Sequence, residues 1–305
     1  MRRLFLMLAG LIAACSSGTA LQARETPDAP PPRPTTLDVL TYNVFMRPPP
    51  VNWGDETACR AQRIGAWLGR SDLDVVVLTE TFHADDVRAL SDRAAASLPH
   101  QSLSQPRGAG AFSVSGGLSV LSRWPIESTR TLSYATCSGP VSDCVATKGA
   151  LHAVLRLDDD LVLNVVATHL DAGRGARDRA ARSKQLRELR GFVDQIDHQS
   201  GPVVIVGDFN VDALLGDEYD ELKETLDVAH YDVTSPSTLN CKTTIRCEEP
   251  VPAERLDYIF RRRDEHRLTR RTTEHLSMED PACGSRYLSD HRAVRSTFEL
   301  GSTGP

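Results

Sequence analysis

The stretch GPVVIVGDFNVDA, residues 201–213, runs an apolar segment, Val203 to Val206, straight into Gly207, Asp208 and Asn210. An uncompensated carboxylate at the end of a buried strand is costly, so Asp208 needs a cation, a metal or backbone donors as its partner. Taken alone, the pattern also fits a strand followed by an Asx turn. The arrangement recurs along the chain. LDVLTYNVF ends its apolar run at Asn43, and LDVVVLTETF carries Val75–Leu78 into Glu80. LVLNVVATHLD is apolar from Leu161 to Thr168 and ends at His169. RLDYIF holds Asp257, and LSDHRAV places Asp290 and His291 just before Ala293 and Val294. Glu80, Asp208 and Asn210 are hard oxygen donors of the type that Mg²⁺ takes together with waters; such sites also accept Mn²⁺ or Co²⁺. His169 and His291 change protonation near neutral pH. A hard cation beside histidines suits phosphate-ester hydrolysis. The metal polarises the phosphoryl oxygens, a histidine takes a proton from water, and a neighbouring carboxylate fixes that histidine's tautomer.

Other chemistries find less support. The chain has no GxSxG for a nucleophilic serine, and RGAG at Arg107–Gly110 is too short for a dinucleotide fingerprint. His152 lies within a strand pattern and reads as structural.

These groups need elements that bring them to one place. Polar residues at the carboxyl ends of apolar strands face the crevice where α/β sheets bind ligands. The strand patterns alternate with helical ones. CRAQRIGAWLGR has Ile64, Trp67 and Leu68 at helical spacing, and ARSKQLRELRGFVDQI has Leu186, Leu189, Phe192, Val193 and Ile196 on one face. GGLSVLSRWPI and KGALHAVLRL read as half-buried strands. The interval from Arg261 to Arg286 is polar and aperiodic, and no element is assigned to it.

With 305 residues, 40% hydrophobic and 25% charged, the chain suits one large α/β domain over 37–300. Its net charge of −6 argues against a broad basic face for nucleic acid. MRRLFLMLAGLIAAC reads as a secretory signal, residues 1–15, whose IAAC ending resembles a bacterial lipobox with Cys15 as the lipidated residue. Cleavage without lipidation is the alternative, giving a periplasmic or secreted protein. Ser16 after the cysteine suits outer-membrane sorting. Residues 16–36 are small, polar and Pro-rich, a tether between anchor and domain. Six further cysteines in an exported chain suggest disulfides. Cys137–Cys144 and Cys241–Cys247 are natural local pairs, which leaves Cys59–Cys283. A metal site is the alternative, although no CxxC spacing supports it.

TYNV, LTETF, THL, VGDFN, LDYIF and SDH, in this order, closely resemble the endonuclease/exonuclease/phosphatase superfamily over about Leu37 to Phe298. The resemblance implies a four-layer α/β (α+β) fold: two mixed β-sheets packed face to face and flanked by helices. It implies that Glu80 is the main metal ligand with Asn43 beside it, and that Asp290 belongs to the metal shell. It implies that His169 binds phosphate, that Asp208 and Asn210 position nucleophile and phosphate, and that Asp208 also contacts metal. His291 would be the general base, oriented by Asp257. Within the superfamily the sphingomyelinase branch is most similar. Lys148-Gly149 opens the strand before THL, and RSKQL follows it at Arg182–Leu186. Lys148 would then meet the lipid phosphate. The implied activity is Mg²⁺-dependent hydrolysis of sphingomyelin to ceramide and phosphocholine at a membrane surface, by a monomer with no implied protein partner. An exported nuclease, with nucleic acid as its partner, is the alternative; a non-catalytic binding lipoprotein is a third reading. Secreted members often carry an aromatic-tipped hairpin between DY and SDH. Here that interval has only Tyr287 and many arginines, so Arg261–Arg263 are expected either to touch anionic head groups or to be a solvated edge.

Overall fold

The computed structural model describes residues 34–47, 53–103, 116–139, 144–229, 237–240, 245 and 253–301. Cys15, tether residues 16–33 and the Cys241–Cys247 pair lie outside these. The elements in chain order are β1 (Thr36–Met46), α1 (Thr57–Leu68), β2 (Val75–Thr81), α2 (Ala84–Ala94), β3 (His100–Leu103), β4 (Ser119–Ser122), β5 (Ile126–Ser133), β6 (Gly149–Asp158), β7 (Leu161–His169), α3 (Ala176–Val193), β8 (Val203–Asp208), α4 (Gly216–Leu226), β9 (Asp257–Arg261), β10 (Leu268–Leu276) and β11 (Ala293–Leu300).

The apolar run of β8 does not alternate because both faces of the strand are covered. Val204 and Val206 enter the core between two sheets, while Val203 and Ile205 meet α3 and α4. β1 divides its residues the same way. Leu37 and Val39 face the inter-sheet core, and Leu40, Tyr42, Val44 and Met46 pack with α1 and α2. The result is a helix–sheet–sheet–helix sandwich. One sheet has six strands in the order β10-β11-β1-β2-β4-β3, the other five in the order β5-β6-β7-β8-β9.

Strand direction decides which residues share an edge. β1 is parallel to β2 and β7 is parallel to β8, so Asn43, Glu80, His169 and Asp208 arrive from carboxyl halves. Asp257, Asp290 and His291 depart from the carboxyl-end pattern, since Asp257 starts its strand and the other two precede theirs. β9 is antiparallel to β8, with Asp257 opposite Asp208. β11 is antiparallel to β1, and Asp290 and His291 immediately precede it. Both antiparallel strands therefore present their amino ends at the same edge.

Two glycines are required by close approach. Gly207 has φ 146°, and a Cβ there would stand 1.9 Å from the Thr168 carbonyl oxygen. A Cβ on Gly149 would meet the Leu132 carbonyl at 2.0 Å. VGD and KG thus report tight strand pairing as well as chemistry.

The interval without an assigned element forms β10, an edge strand on β11, and a 3₁₀ turn at Pro281–Cys283. Its turn is tied to α1 by a Cys59–Cys283 disulfide, the pair left over by elimination, and Cys137–Cys144 forms the local bridge that its short spacing suggests. Arg262 pairs with Asp264 at 3.0 Å and Arg263 with Asp227 at 3.3 Å. They follow Arg261, the last residue of β9, and so lie at the end of that strand remote from Asp257. Among the described residues no helix is long and apolar enough to cross a membrane.

Candidate active site

Asp208 is the hub of the shared edge. Its Oδ2 accepts from Asn43 Nδ2 at 3.0 Å, and lies 3.6 Å from His169 Nε2 and 3.9 Å from His291 Nε2. Its Oδ1 accepts from the Asn210 backbone N–H at 2.9 Å, the Asx turn that the VGDFN pattern allowed. Asn210 Nδ2 donates to the Leu170 carbonyl at 3.0 Å. Asn43, expected as a metal ligand, turns its NH₂ to Glu80 Oε1 (3.1 Å) as well as to Asp208, and its own oxygen accepts from Phe45 N–H (3.0 Å). It bridges the two carboxylates as a donor. Phe45, Glu80 and Asn210 all hold left-handed backbone, with φ of 50°, 60° and 51°. Strain of this kind persists where surrounding structure over-determines it, and it clusters at functional sites.

Glu80 and Asp290 are both half-buried and line the cavity at this edge. Burial and then the Asp290 charge push Glu80 up from 4.5 to about 7. Burial likewise raises Asp290, and burial followed by the Asp257 charge raises Asp208 to about 6. Carboxylates that raise one another in this way are relieved by positive charge.

The imidazoles are driven apart. Burial alone would lower His291, but the Asp257, Asp208 and Asp290 carboxylates together more than offset it and the ring is held well above its ordinary range. Asp257 Oδ2 sits 2.8 Å from His291 Nδ1. His169 is held well below that range by burial and then by Lys148. Lys148, expected on the substrate phosphate, is in contact with His169. Its Nζ is 3.1 Å from His169 Nε2 and donates to the Leu170 carbonyl at 2.7 Å. An ammonium donating to Nε2 leaves the His169 proton on Nδ1, which has no partner among the described residues.

A cavity of about 500 Å³ opens on this cluster and is lined by Glu80, His169, Asp208, Asn210, Asp290 and His291. Its wall rests on residues whose part the sequence did not disclose. Arg182 donates to the Asp171 (2.9 Å) and Gly173 (2.8 Å) carbonyls and to Glu218 (2.6 Å), which fixes the loop after His169. Gln185 accepts from Asp171 N–H at 2.9 Å. RSKQL is thus a loop anchor. Arg60, 1% exposed, donates to the carbonyls of Asp55 (2.7 Å), Val44 (2.8 Å), Leu288 (2.8 Å) and Phe45 (2.6 Å). It clamps the end of β1 to the segment carrying Asp290 and His291. Ser289 Oγ completes the clamp by donating to the Asn43 carbonyl at 2.6 Å. The available signal was Arg60's place in the buried stripe Arg60–Ile64–Leu68 of α1.

The donor set fits a divalent cation. Asp208, Asp257 and His291 offer ligand atoms within 4.8 Å of one another. However, the 2.8 Å bond between Asp257 and His291 is the geometry of an oriented base. Glu80 and Asp290, mutually repelling and all oxygen, are the residues better matched to a hard ion.

The Endonuclease/Exonuclease/phosphatase family pattern matches residues 40–291. The chain belongs to this family. Its relatives include a sphingomyelinase C from Bacillus cereus, 29% identical, with the match covering 83% of this chain and 82% of that protein. The crystal structure of sphingomyelinase C from Streptomyces griseocarneus superposes with a TM-score of 0.69 at 27% identity, covering 86% of this chain and 99% of the other. A beta toxin variant from Staphylococcus aureus with bound magnesium ions shares the fold, with a TM-score of 0.69 at 21% identity, covering 86% and 99%. As a family member, the protein is a hydrolytic, metal-dependent phosphoesterase.

Proposed function

We propose that this protein is an exported Mg²⁺-dependent phosphodiesterase that hydrolyses sphingomyelin to ceramide and phosphocholine. The observation that carries this reading is His291, backed by Asp257 at 2.8 Å and lining one cavity with Glu80, Asp208 and Asp290. The similarity to two sphingomyelinases C supports the choice of substrate. A divalent cation held by Glu80 and Asp290, with Asp208 nearby, would polarise the phosphoryl oxygens and offset the negative field that keeps His291 protonated.

The side chains divide the remaining work. Neutral His291 accepts the proton of the attacking water at Nε2, and Asp257 holds its Nδ1–H and stabilises the imidazolium. The water oxygen bonds to phosphorus and the phosphorus bond to the ceramide oxygen breaks. That oxygen takes a proton from solvent water as it leaves, and His291 returns its proton to solvent, which restores the neutral base. His169 offers Nδ1–H to a phosphate oxygen, with Lys148 fixing the tautomer. Asp208 and Asn210 hold the nucleophile and phosphate in register. Lipid anchoring at Cys15, at the outer membrane, belongs to the same proposal and rests on the IAAC pattern.

The test is purified protein with Mg²⁺ on vesicles of sphingomyelin, assayed for phosphocholine, beside phosphatidylcholine, plasmid DNA and inositol phosphates. Phosphocholine release that EDTA abolishes is expected. Intact sphingomyelin with degraded plasmid would replace this reading by a nuclease.

A further inference from the structure

We propose that Thr238 is a positioning residue for the His291–Asp257 pair and holds its two halves at bonding distance, an inference that rests on the reading of His291 as base above. Asp257 opens β9 in the five-stranded sheet, and His291 precedes β11 in the six-stranded one. Their 2.8 Å contact therefore joins elements of different sheets and depends on how those elements are set against each other.

The Asp257 carboxylate has little restraint of its own. Its Oδ2 meets His291, while its Oδ1 is buried without a hydrogen-bond partner among the described residues. Its direction is thus set by the backbone that carries it. β9 is the edge strand of its sheet, so N–H groups at its start need an acceptor from elsewhere. Thr238, fully buried, supplies that acceptor. Its Oγ1 accepts from Leu256 N–H at 2.9 Å and from Asp257 N–H at 3.3 Å. A hydroxyl oxygen has two lone pairs and can take both.

The other half of the pair is held by the same residue. The Thr238 carbonyl accepts from Arg292 N–H at 2.7 Å, one residue past His291. Leu239 continues the contact: it exchanges two backbone bonds of 3.0 Å with Glu254 and forms a β-bridge with His291. Thr238 is not among the residues that line the cavity, so it acts on substrate only through the pair. Valine would fill the same space without the oxygen. Two buried N–H groups would then lose their acceptor, and the start of β9 would shift to find another.

The experiment compares the full chain with its Thr238→Val and Thr238→Ser versions in Mg²⁺. Steady-state kinetics are measured on sphingomyelin vesicles and on bis(p-nitrophenyl) phosphate. Proton NMR follows the low-field Nδ1–H that His291 directs at Asp257, assigned by its loss in His291→Ala. Thr238→Val should lower kcat about 10- to 100-fold with KM nearly unchanged, and should weaken or remove the low-field signal. Thr238→Ser keeps the oxygen and should restore both. Because Thr238 acts through Asp257, adding Thr238→Val to Asp257→Asn should cost about twofold at most. If the valine protein does not fold, Thr238→Ala takes its place under the same criteria. Wild-type kcat and signal in the valine protein, equal losses with valine and serine, or losses that multiply with Asp257→Asn overturn the assignment. Full kcat in His291→Ala, with the signal still lost in Thr238→Val, supports the positioning role and sinks the base reading. Turnover of the synthetic diester with intact sphingomyelin sinks the substrate reading alone.

Discussion

Stripping the metal should make the protein's stability fall as pH rises. Glu80 goes from 4.5 to about 7 in the folded state, and Asp208 from 3.8 to about 6. A carboxyl whose folded pKa is raised binds its proton more tightly when folded, so its contribution is present at low pH and lost as pH climbs through the window. Between about pH 5 and about pH 8 this amounts to roughly 2.5 kcal/mol for Glu80 and roughly 1.5 kcal/mol for Asp208. The two share one electrostatic field, so the joint loss is about 3 kcal/mol rather than the sum. The histidines act in opposite senses. His291, held high, loses its stabilising charge as pH rises; His169, held low, opposes folding as pH falls below its ordinary value. His291 therefore shares the sign of Glu80 and Asp208, and His169 alone opposes it. Urea denaturation at both pH values, with EDTA or with Mg²⁺, measures the effect. Metal should add little at the acid end, where protons occupy its ligands, and about 3 kcal/mol more at the alkaline end. Stability of the stripped protein that rises with pH, or a Mg²⁺ increment equal at both ends, would refute the argument.

Other expectations follow from the same geometry. His291→Ala and Asp257→Asn should each lower kcat by about 10³-fold with KM nearly unchanged, read by steady-state kinetics. A KM effect alone would remove His291 from the base position. Glu80→Gln should leave the protein folded and abolish its response to Mg²⁺ in both calorimetry and activity. Arg60→Lys replaces a fork that reaches four carbonyls by an ammonium with three donors. One buried carbonyl then loses its partner, for about 1–3 kcal/mol in urea denaturation and a drop in kcat as Asp290 and His291 loosen; wild-type stability would contradict the clamp. Cys59 and Cys283 are 224 residues apart. Changing both to Ser should cost up to about 5 kcal/mol by loop entropy, and a loss below about 1 kcal/mol would show that the link is idle.

The residues of the site were legible because their types break apolar strands. A buried run such as Val203–Val206 ending in Asp208 is a local conflict, and local conflicts are visible in one sequence. Strand direction is not local. Nothing within RLDYIF distinguishes an amino end from a carboxyl end, so Asp257 was placed on the correct edge from the wrong end. β10 escaped because it is an edge strand whose outward positions carry arginine, threonine and glutamate, which masks the period that a buried strand displays. Arg60 escaped because a cation in a helix rich in polar residues looks solvated. Its place in the Arg60–Ile64–Leu68 stripe hints at burial, but its partner Leu288 is 228 residues away. The same distance separates legible chemistry from its tuning. Asn43 meets Asp208 across 165 residues and receives Ser289 across 246. Those contacts turn its amide to the carboxylates, and Lys148 meets His169 across 21 residues. Residue type alone therefore names the groups that react, while their orientation, tautomer and charge arise from long-range packing between the two sheets. Of the two, orientation is the part a substitution such as Arg60→Lys would disturb while leaving every reacting group in place.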